Sequence, residues 1–321
     1  MKRKCLRLVR MKICSVATIF VLVGLFSGLV REAAAQTTVR VSYPQVTIAL
    51  LPIYVGMEKG FYKKEGLEVD YVFTRGFPGV QSVMAGDSHF ATNCAAPMGA
   101  IKGGDIRVVL GAEDSPYMPL YSKKSITTLK ALKGKTVATS GIGSVTDTLF
   151  RLSAQAKGFK PSDFKIITIG GSGARLTALK AGTIDAGMLA NEAGLQGEAL
   201  GFHMLLDTGN LNPVPAQCIS TRLSLIKKNP GIVGKFVRAT KAAAEFARDN
   251  RAEAIAIAKK SLKKLPAEII NRGYDVMFIG RYNWAKLPEK VMRMSIKLWS
   301  DRAGVKKTTN PDEVYDWRFV K

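Results

Sequence analysis

The sequence predicts an α/β protein of two similar lobes, each a mostly parallel sheet flanked by helices, and three observations carry that prediction. First, a phrase recurs. M-E-K-G-F-Y-K-K-E-G-L-E-V-D-Y-V-F at Met57–Phe73 and A-K-G-F-K-P-S-D-F-K-I-I-T-I at Ala156–Ile169 each read as a helix end, a glycine stop, a charged turn and a strand. Second, the spacing persists through a whole unit. Gly60 and Gly158 lie 98 residues apart, and the Ala-Gly stops at Gly86 and Gly182 lie 96 apart. Third, proline-punctuated passages follow each copy, at Glu113–Lys124 and Leu211–Ser220.

Taken in order, residues 1–35 open with a basic head, continue through an apolar run from Ile13 to Val30, and end in Ala33-Ala34-Ala35. A basic region, an apolar core and a small-residue exit describe a cleavable export signal. The competing reading is a retained anchor, because the run reaches the lower length limit of a spanning helix. No cysteine follows the apolar run at a lipoprotein-like position.

Each copy then runs β-α-β-α-β. Strands are expected at Thr38–Tyr43 and Val69–Phe73 in the first copy, and at Lys135–Ser140 and Lys165–Ile169 in the second. Right-handed crossovers between such strands demand a parallel sheet covered by helices. The glycines recur because each helix must stop in a left-handed turn before the chain re-enters the sheet. Beyond Leu223 the pattern is helical, over Ser224–Asn250, Ala252–Lys264 and Pro288–Ala303, and this tail is expected to return to the first lobe. The expected division is residues 1–35 as signal, 36–115 with 217–321 as the first lobe, and 116–216 as the second. Two crossings between lobes make a hinge.

The 321 residues carry a formal charge of +23. Seven basic residues and one acid lie in the first 35, which leaves +17 on the remainder. The basic residues are scattered in pairs such as Lys63-Lys64 and Lys259-Lys260, without interleaved aromatics or a nucleic-acid module. A solvated basic surface that favours acidic ligands is expected, with no nucleic-acid partner. Cys5 and Cys14 belong to the export segment. Cys94 and Cys218 remain, an even pair in an oxidising compartment, more than a hundred residues apart. They either bridge or stay as two thiols.

Catalytic motifs are incomplete. Gly141-Ile142-Gly143-Ser144-Val145-Thr146 has two glycines of a dinucleotide fingerprint and threonine at the third position, and Gly170-Gly171-Ser172-Gly173-Ala174 misses the last glycine of a nucleophile elbow. With only His89 and His203, a catalytic triad or histidine-rich metal site has almost no material. No metal, cofactor or catalytic residue is expected.

The series Y-V-G-M-E-K-G-F-Y-K-K-E-G-L-E-V, V-M-A-G-D-S-H-F-A-T, L-K-A-L-K-G-K-T-V-A-T-S-G-I-G-S, L-K-A-G-T-I-D-A-G-M-L and D-E-V-Y-D-W-R-F-V resembles the periplasmic solute-binding proteins of ABC importers. Within these it is similar to the sulfonate, nitrate and taurine binding group, which includes relatives of thiamine-pyrimidine synthase. The resemblance spans the mature chain. It implies a two-lobed, two-crossing clamshell of type II that holds a small solute between its lobes, with permease and ATPase subunits as partners and a monomer in solution. The synthase branch has a cysteine-rich iron motif, whereas the loop here reads N-C-A-A-P with a single cysteine. A secreted enzyme on the same clamshell and a ligand-presenting sensor are the other readings.

Functional loops in such sheets lie beyond the carboxyl ends of the strands. In the first lobe these loops offer Tyr43, Thr47 and Ile48, then Arg75, Phe77 and Gly79, then Asn93 and Cys94. In the second they offer Ser140, Gly141, Gly143, Ser144 and Thr146, then Ser172, Gly173 and Arg175, then Asn191 and Glu192. The Ser140–Thr146 loop opens a helix whose free amides suit an anion, although S-V-T-D also reads as an ordinary cap. Either arginine could fork a carboxylate or sulfonate, or serve its own turn. The asparagines present amides to a polar solute or cap helices. Glu192 is placed to salt-bridge across the closed mouth or to bind an amine. His89 and Asp185 occupy equivalent slots at the far strand ends and read as structural.

Overall fold

The computed structural model describes residues 36–74 and 77–320, so the export segment and Arg75 lie outside the described residues. Residues 37–321 cluster as a single compact unit. Ten strands form two five-stranded sheets: β1 Thr37–Tyr43, β2 Leu67–Phe73, β3 Phe90–Ala91, β4 Arg107–Gly111 and β10 Cys218–Thr221 in one, β5 Pro119–Ser122, β6 Thr136–Thr139, β7 Lys165–Thr168, β8 Ala186–Met188 and β9 His203–Asp207 in the other. Their orders, β2-β1-β3-β10-β4 and β7-β6-β8-β5-β9, are the same arrangement twice. In each sheet one strand runs against the rest, β10 in the first and β5 in the second. Each of these strands arrives directly from the other lobe, which explains its reversed direction.

The repeated phrases are structurally equivalent. In the first copy α1, Leu51–Glu58, stops before Gly60 at φ 73°, a short α2, Phe61–Lys64, follows, and β2 pairs in register with β1 from Thr37↔Leu67 to Tyr43↔Phe73. In the second, α5, Val145–Ala156, stops before Gly158 at φ 81°, and β7 pairs with β6 from Thr136↔Lys165 to Thr139↔Thr168. The Ala-Gly stops close α3, Pro78–Ala85, and α6, Ser172–Lys180, with Gly86 at φ 99° and Gly182 at φ 73°. After them, His89 Nδ1 accepts the Arg40 amide at 3.0 Å and Asp185 Oδ2 accepts the Thr136 amide at 2.9 Å. Two different side chains hold the same slot, each tying the third strand of its unit to the first.

Between the sheets the chain crosses twice. Because β5 lies within the passage expected to cross, the first connection is the shorter segment 112–118, and the second runs over 208–217, including α8, Thr208–Leu211. A methyl group at Gly209 would overlap the Pro116 carbonyl oxygen, so this glycine allows the crossings to touch. Glu113 joins them chemically, its Oε1 accepting the amides of Ala216 at 2.5 Å and Gln217 at 2.8 Å. Arg281 fastens the same place, donating to Ser115 Oγ and Asn210 Oδ1, each at 3.0 Å, and pairing with Asp207.

The helical tail comprises α9 Leu223–Lys228, α10 Pro230–Asp249, α11 Arg251–Ser261, α12 Ala267–Gly273, a π-helical turn at Tyr274–Ile279 and α13 Glu289–Ala303. Helices α10 to α12 supply Phe236, Val237, Ala258 and Ile270 to the first-lobe core around Val39, Val41 and Leu50. Helix α13 is shared between two cores. In α13, Met292, Ile296 and Trp299 pack into a first-lobe cluster with Val108 and Cys218, whereas Met294 and Leu298 lean on the second-lobe cluster with Leu149 and Phe150. Residues spaced by three and four on two sides of one helix thus serve two cores.

Candidate functional site

The loop beyond β8 meets the loop beyond β1 through Glu192. This residue opens α7, Glu192–Ala199, and its Oε1 accepts Thr47 Oγ1 at 2.8 Å and the Ile48 amide at 2.6 Å. Thr47 caps a short 3₁₀ turn, Ile48–Leu50, that leads into α1, so the carboxylate sits on the free amide end of a helical segment. Burial raises the Glu192 pKa against the lowering effect of these bonds. Beside it, α12 and α7 are joined by the Arg272–Glu198 ion pair, and Leu195 enters the first-lobe core. Glu192 reaches across the mouth by these two hydrogen bonds rather than by the expected salt bridge. Tyr43 lies nearby, its ring stacked on Tyr71 at 3.9 Å.

On the other side of the mouth, Phe77, Asn93, Cys94, Met118, Val145 and Trp299 surround a cavity of about 300 Å³ that Arg302 also reaches. Asn93 Oδ1 accepts the Ala95 amide at 3.0 Å, while Nδ2 is buried without a partner among the described residues. Ser42 Oγ is likewise unpartnered, and a methyl at Gly79 would press on it while lying 3.6 Å from Asn93 Nδ2. Gly79 therefore leaves room at two unused polar atoms. Buried polar atoms of this kind call for a hydrogen-bonding occupant.

Cys94 and Cys218 are joined as a disulfide, which ties the loop after β3 to the start of β10. The bond anchors the floor of the cavity to a crossing strand.

The Ser140–Thr146 loop is bonded mainly to itself. Ser144 Oγ accepts the Asp147 amide at 3.2 Å, and Asp147 Oδ2 accepts the Gly143 amide at 2.8 Å. Thr146 Oγ1 accepts the Ser140 amide at 2.9 Å and lies 2.9 Å from Ser140 Oγ and 3.1 Å from Ser144 Oγ. The buried Asp147, paired with Arg151, thus brings negative charge to the α5 start. Capping is visible here, with Asp147 as the last residue of the S-V-T-D signature. Gly141 and Gly143 are open on the side where a Cβ would project.

Arg175 is only 2% exposed, its guanidinium held within its own lobe. Its Nε donates to the Met188 carbonyl at 2.6 Å, its Nη1 to the carbonyls of Ile169 at 3.0 Å and Gly170, and its Nη2 to Ser172 Oγ at 2.8 Å. Ser172 Oγ also accepts the Ala190 amide at 3.1 Å. Arg175 therefore splices the second and third loops of the lobe. Among the described residues no carboxylate pairs with it, and burial lowers its pKa to about 10. Its charge is held by backbone carbonyl dipoles and the Ser172 hydroxyl. Asn191 sits at φ 53° and donates its amide to the Tyr117 carbonyl, fixing α7 against the first crossing.

Met118, Trp299 and Arg302 were not among the residues expected at the site. Trp299 and Arg302 come from a helix assigned to the first lobe, and Met118 from a crossing, so no rim argument reaches them. Among the described residues no cluster of His, Cys, Asp or Glu is arranged to hold a metal, and no helix is long and apolar enough to cross a membrane.

Comparison with known proteins agrees with this geometry. Residues 47–254 match the family model described as NMT1/THI5 like. No curated protein matches the chain. Among solved structures, the periplasmic aliphatic sulphonate binding protein SsuA from Escherichia coli aligns with a TM-score of 0.74 at 18% identity, covering 88% of this chain and 98% of that one. A putative periplasmic sulfonate-binding protein SsuA from Methylobacillus flagellatus KT aligns at 0.69 and 20% identity, covering 89% and 93%. The desulfurization enzyme DSZB aligns at 0.68 and 16% identity, covering 88% and 97%. These likenesses establish the periplasmic-binding-protein fold: two mixed sheets flanked by helices.

Proposed function

Because the chain belongs to the NMT1/THI5-like family, we propose that it is the extracytoplasmic solute-binding component of an ABC importer, holding a small organic anion such as a sulfonate or carboxylate between its lobes. The observation that carries this reading is Arg175, a buried cation beside the rim with no carboxylate partner among the described residues. A fixed positive charge held by backbone dipoles favours an anion arriving from the cleft. The unused Ser42 hydroxyl and Asn93 amide supply hydrogen bonds for its polar atoms. The sulfonate-binding neighbours support the same class of solute. Residues 1–35 act as the cleaved export signal, residues 36–115 with 217–321 form one lobe and 116–216 the other, and permease and ATPase subunits receive the monomeric, loaded protein.

The desulfurization enzyme among the neighbours motivates a second, catalytic reading. Against it, Cys94 and Cys218 are spent in a disulfide, and His89 is occupied by the Arg40 amide. A single experiment separates the two. Protein beginning at Gln36 is melted with alkanesulfonates, arenesulfonates, carboxylates and nitrate, and with amines as controls, and each ligand is recovered and weighed by mass spectrometry. An anion at about 100 times its dissociation constant should add roughly 2.7 kcal/mol and be recovered unchanged. Stabilisation by amines alone would reject the anionic solute, and a ligand recovered with a lost sulfur group would reject the non-catalytic role.

A further inference from the structure

Helix α13 lies against both lobes, but its second-lobe side does not close fully on α5. Between them is a cavity of about 450 Å³, walled by Leu149 and Leu152 of α5, Met294 and Leu298 of α13, and Val214 of the second crossing. Leu152 is 42% exposed at its edge, an apolar side chain left in water where two helices could have met. A concave, mainly apolar space of this size with a few polar groups at its rim has the character of a small-molecule site.

The rim decides the sign of the guest. Lys297 and Asp301 neutralise each other at 2.8 Å. Arg302 rests on the Trp299 ring at 5.2 Å and has no carboxylate partner among the described residues. The Asn212 amide is turned away to Ser153 Oγ at 2.8 Å. What remains at the entrance is one uncompensated cation beside an apolar cavity.

We propose that this cavity is a second ligand site, apart from the interlobe cleft, for an amphipathic anion whose hydrocarbon lies among the leucines and Met294 and whose carboxylate meets Arg302. The proposal does not depend on the identity of the cleft solute. Arg302 borders both cavities, but the methionines separate them: Met294 lines this one, and Met98 and Met118 line the other.

Those methyl groups provide the test. Protein beginning at Gln36 is labelled at the methionine methyls and titrated with decanoate below its micellar range, with decyltrimethylammonium as the cationic counterpart. Decanoate should shift the Met294 resonance saturably and leave Met98 and Met118 in place, and the cation should shift none of them. In Arg302→Gln and in Leu152→Glu, both at exposed positions, the dissociation constant should rise about tenfold, equivalent to about 1.4 kcal/mol. Shifts confined to Met98 and Met118 would assign decanoate to the cleft and overturn the second site. An unmoved Met294, equal binding of the cation, or unchanged affinity in both variants would each overturn it as well.

Discussion

Glu192 Oε1 lies 2.6 Å from the Ile48 amide nitrogen, 144 residues earlier in the chain and in the other lobe. With the 2.8 Å bond from Thr47 Oγ1, this contact closes one side of the mouth by placing a carboxylate on the helical segment that opens the first lobe. The start of that segment is therefore occupied by the protein itself, while the side bounded by Asn93 and Trp299 keeps a cavity.

Removing that carboxylate should loosen closure. In Glu192→Ala the Thr47 hydroxyl and the Ile48 amide lose their acceptor in the closed form, at a cost of about 1–3 kcal/mol, whereas Glu192→Gln keeps the accepting oxygen. Small-angle scattering of solute-free protein should show a larger radius of gyration for the alanine variant and little change for glutamine. Identical profiles for wild type and Glu192→Ala would show that the contact does not govern the mouth.

Glu113 should make stability depend on pH. Burial, as the dominant cause, raises its pKa to about 8, opposed by the Gln217 and Ala216 amides and by Arg281, while Asp114 adds to the rise. Its folded pKa thus exceeds the unfolded value, so its contribution is complete below about pH 4.5 and declines as pH rises towards 8, by at most about 1.4 kcal/mol per pH unit. Asp105 and Asp185 titrate the other way, their pKa values lowered by hydrogen bonds from Ser224 and Thr136, so acid below the ordinary carboxylate range removes stability again. Melting temperatures should fall from pH 5 to pH 8 in wild type and fall less in Glu113→Gln, where Glu192, also raised by burial, still titrates. A parallel fall in both proteins would assign the dependence to other groups.

Reducing the disulfide should cost more than either thiol contributes to packing. The Cys94–Cys218 bond spans 124 residues of chain, and a loop of that order is worth about 4–5 kcal/mol in chain entropy. For a protein of this length the melting point should drop by roughly 10 °C under dithiothreitol, at about 2–4 °C per kcal/mol. Thiol titration of the unreduced, unfolded protein beginning at Gln36 should find no free sulfhydryl. Two titrating thiols, or a melting point indifferent to reductant, would contradict the bond.

Gly209→Ala should disturb the hinge from outside the site. The added methyl meets the Pro116 carbonyl, a backbone atom that cannot rotate away, so the two crossings must separate. Overpacking of this kind costs about 1–3 kcal/mol. Calorimetry should record that loss, while Gly141→Ala, where a methyl meets nothing within 4 Å, should melt near wild type. Equal stability of Gly209→Ala and wild type would refute the close approach.

By itself, the sequence determined the repeated unit. Strand alternation, glycine stops and proline joints act within about ten residues, so Gly60 and Gly158, or His89 and Asp185, were legible as equivalent positions before any contact was known. The same local logic located the rim loops, because a parallel βαβ unit puts them beyond the strand ends. Tertiary structure alone decided which rim residues meet. Glu192 reaches Ile48, Arg175 turns onto the carbonyls of Ile169, Gly170 and Met188, and Cys94, which could have stayed free, bonds Cys218. The Glu192 contact depends on the angle between the two lobes, and the partners of Glu192 and Cys94 lie more than a hundred residues away in the chain. Helix α13 makes the same point, since its two apolar edges were readable as helix periodicity, yet only the closeness of both lobes gives each edge its own core.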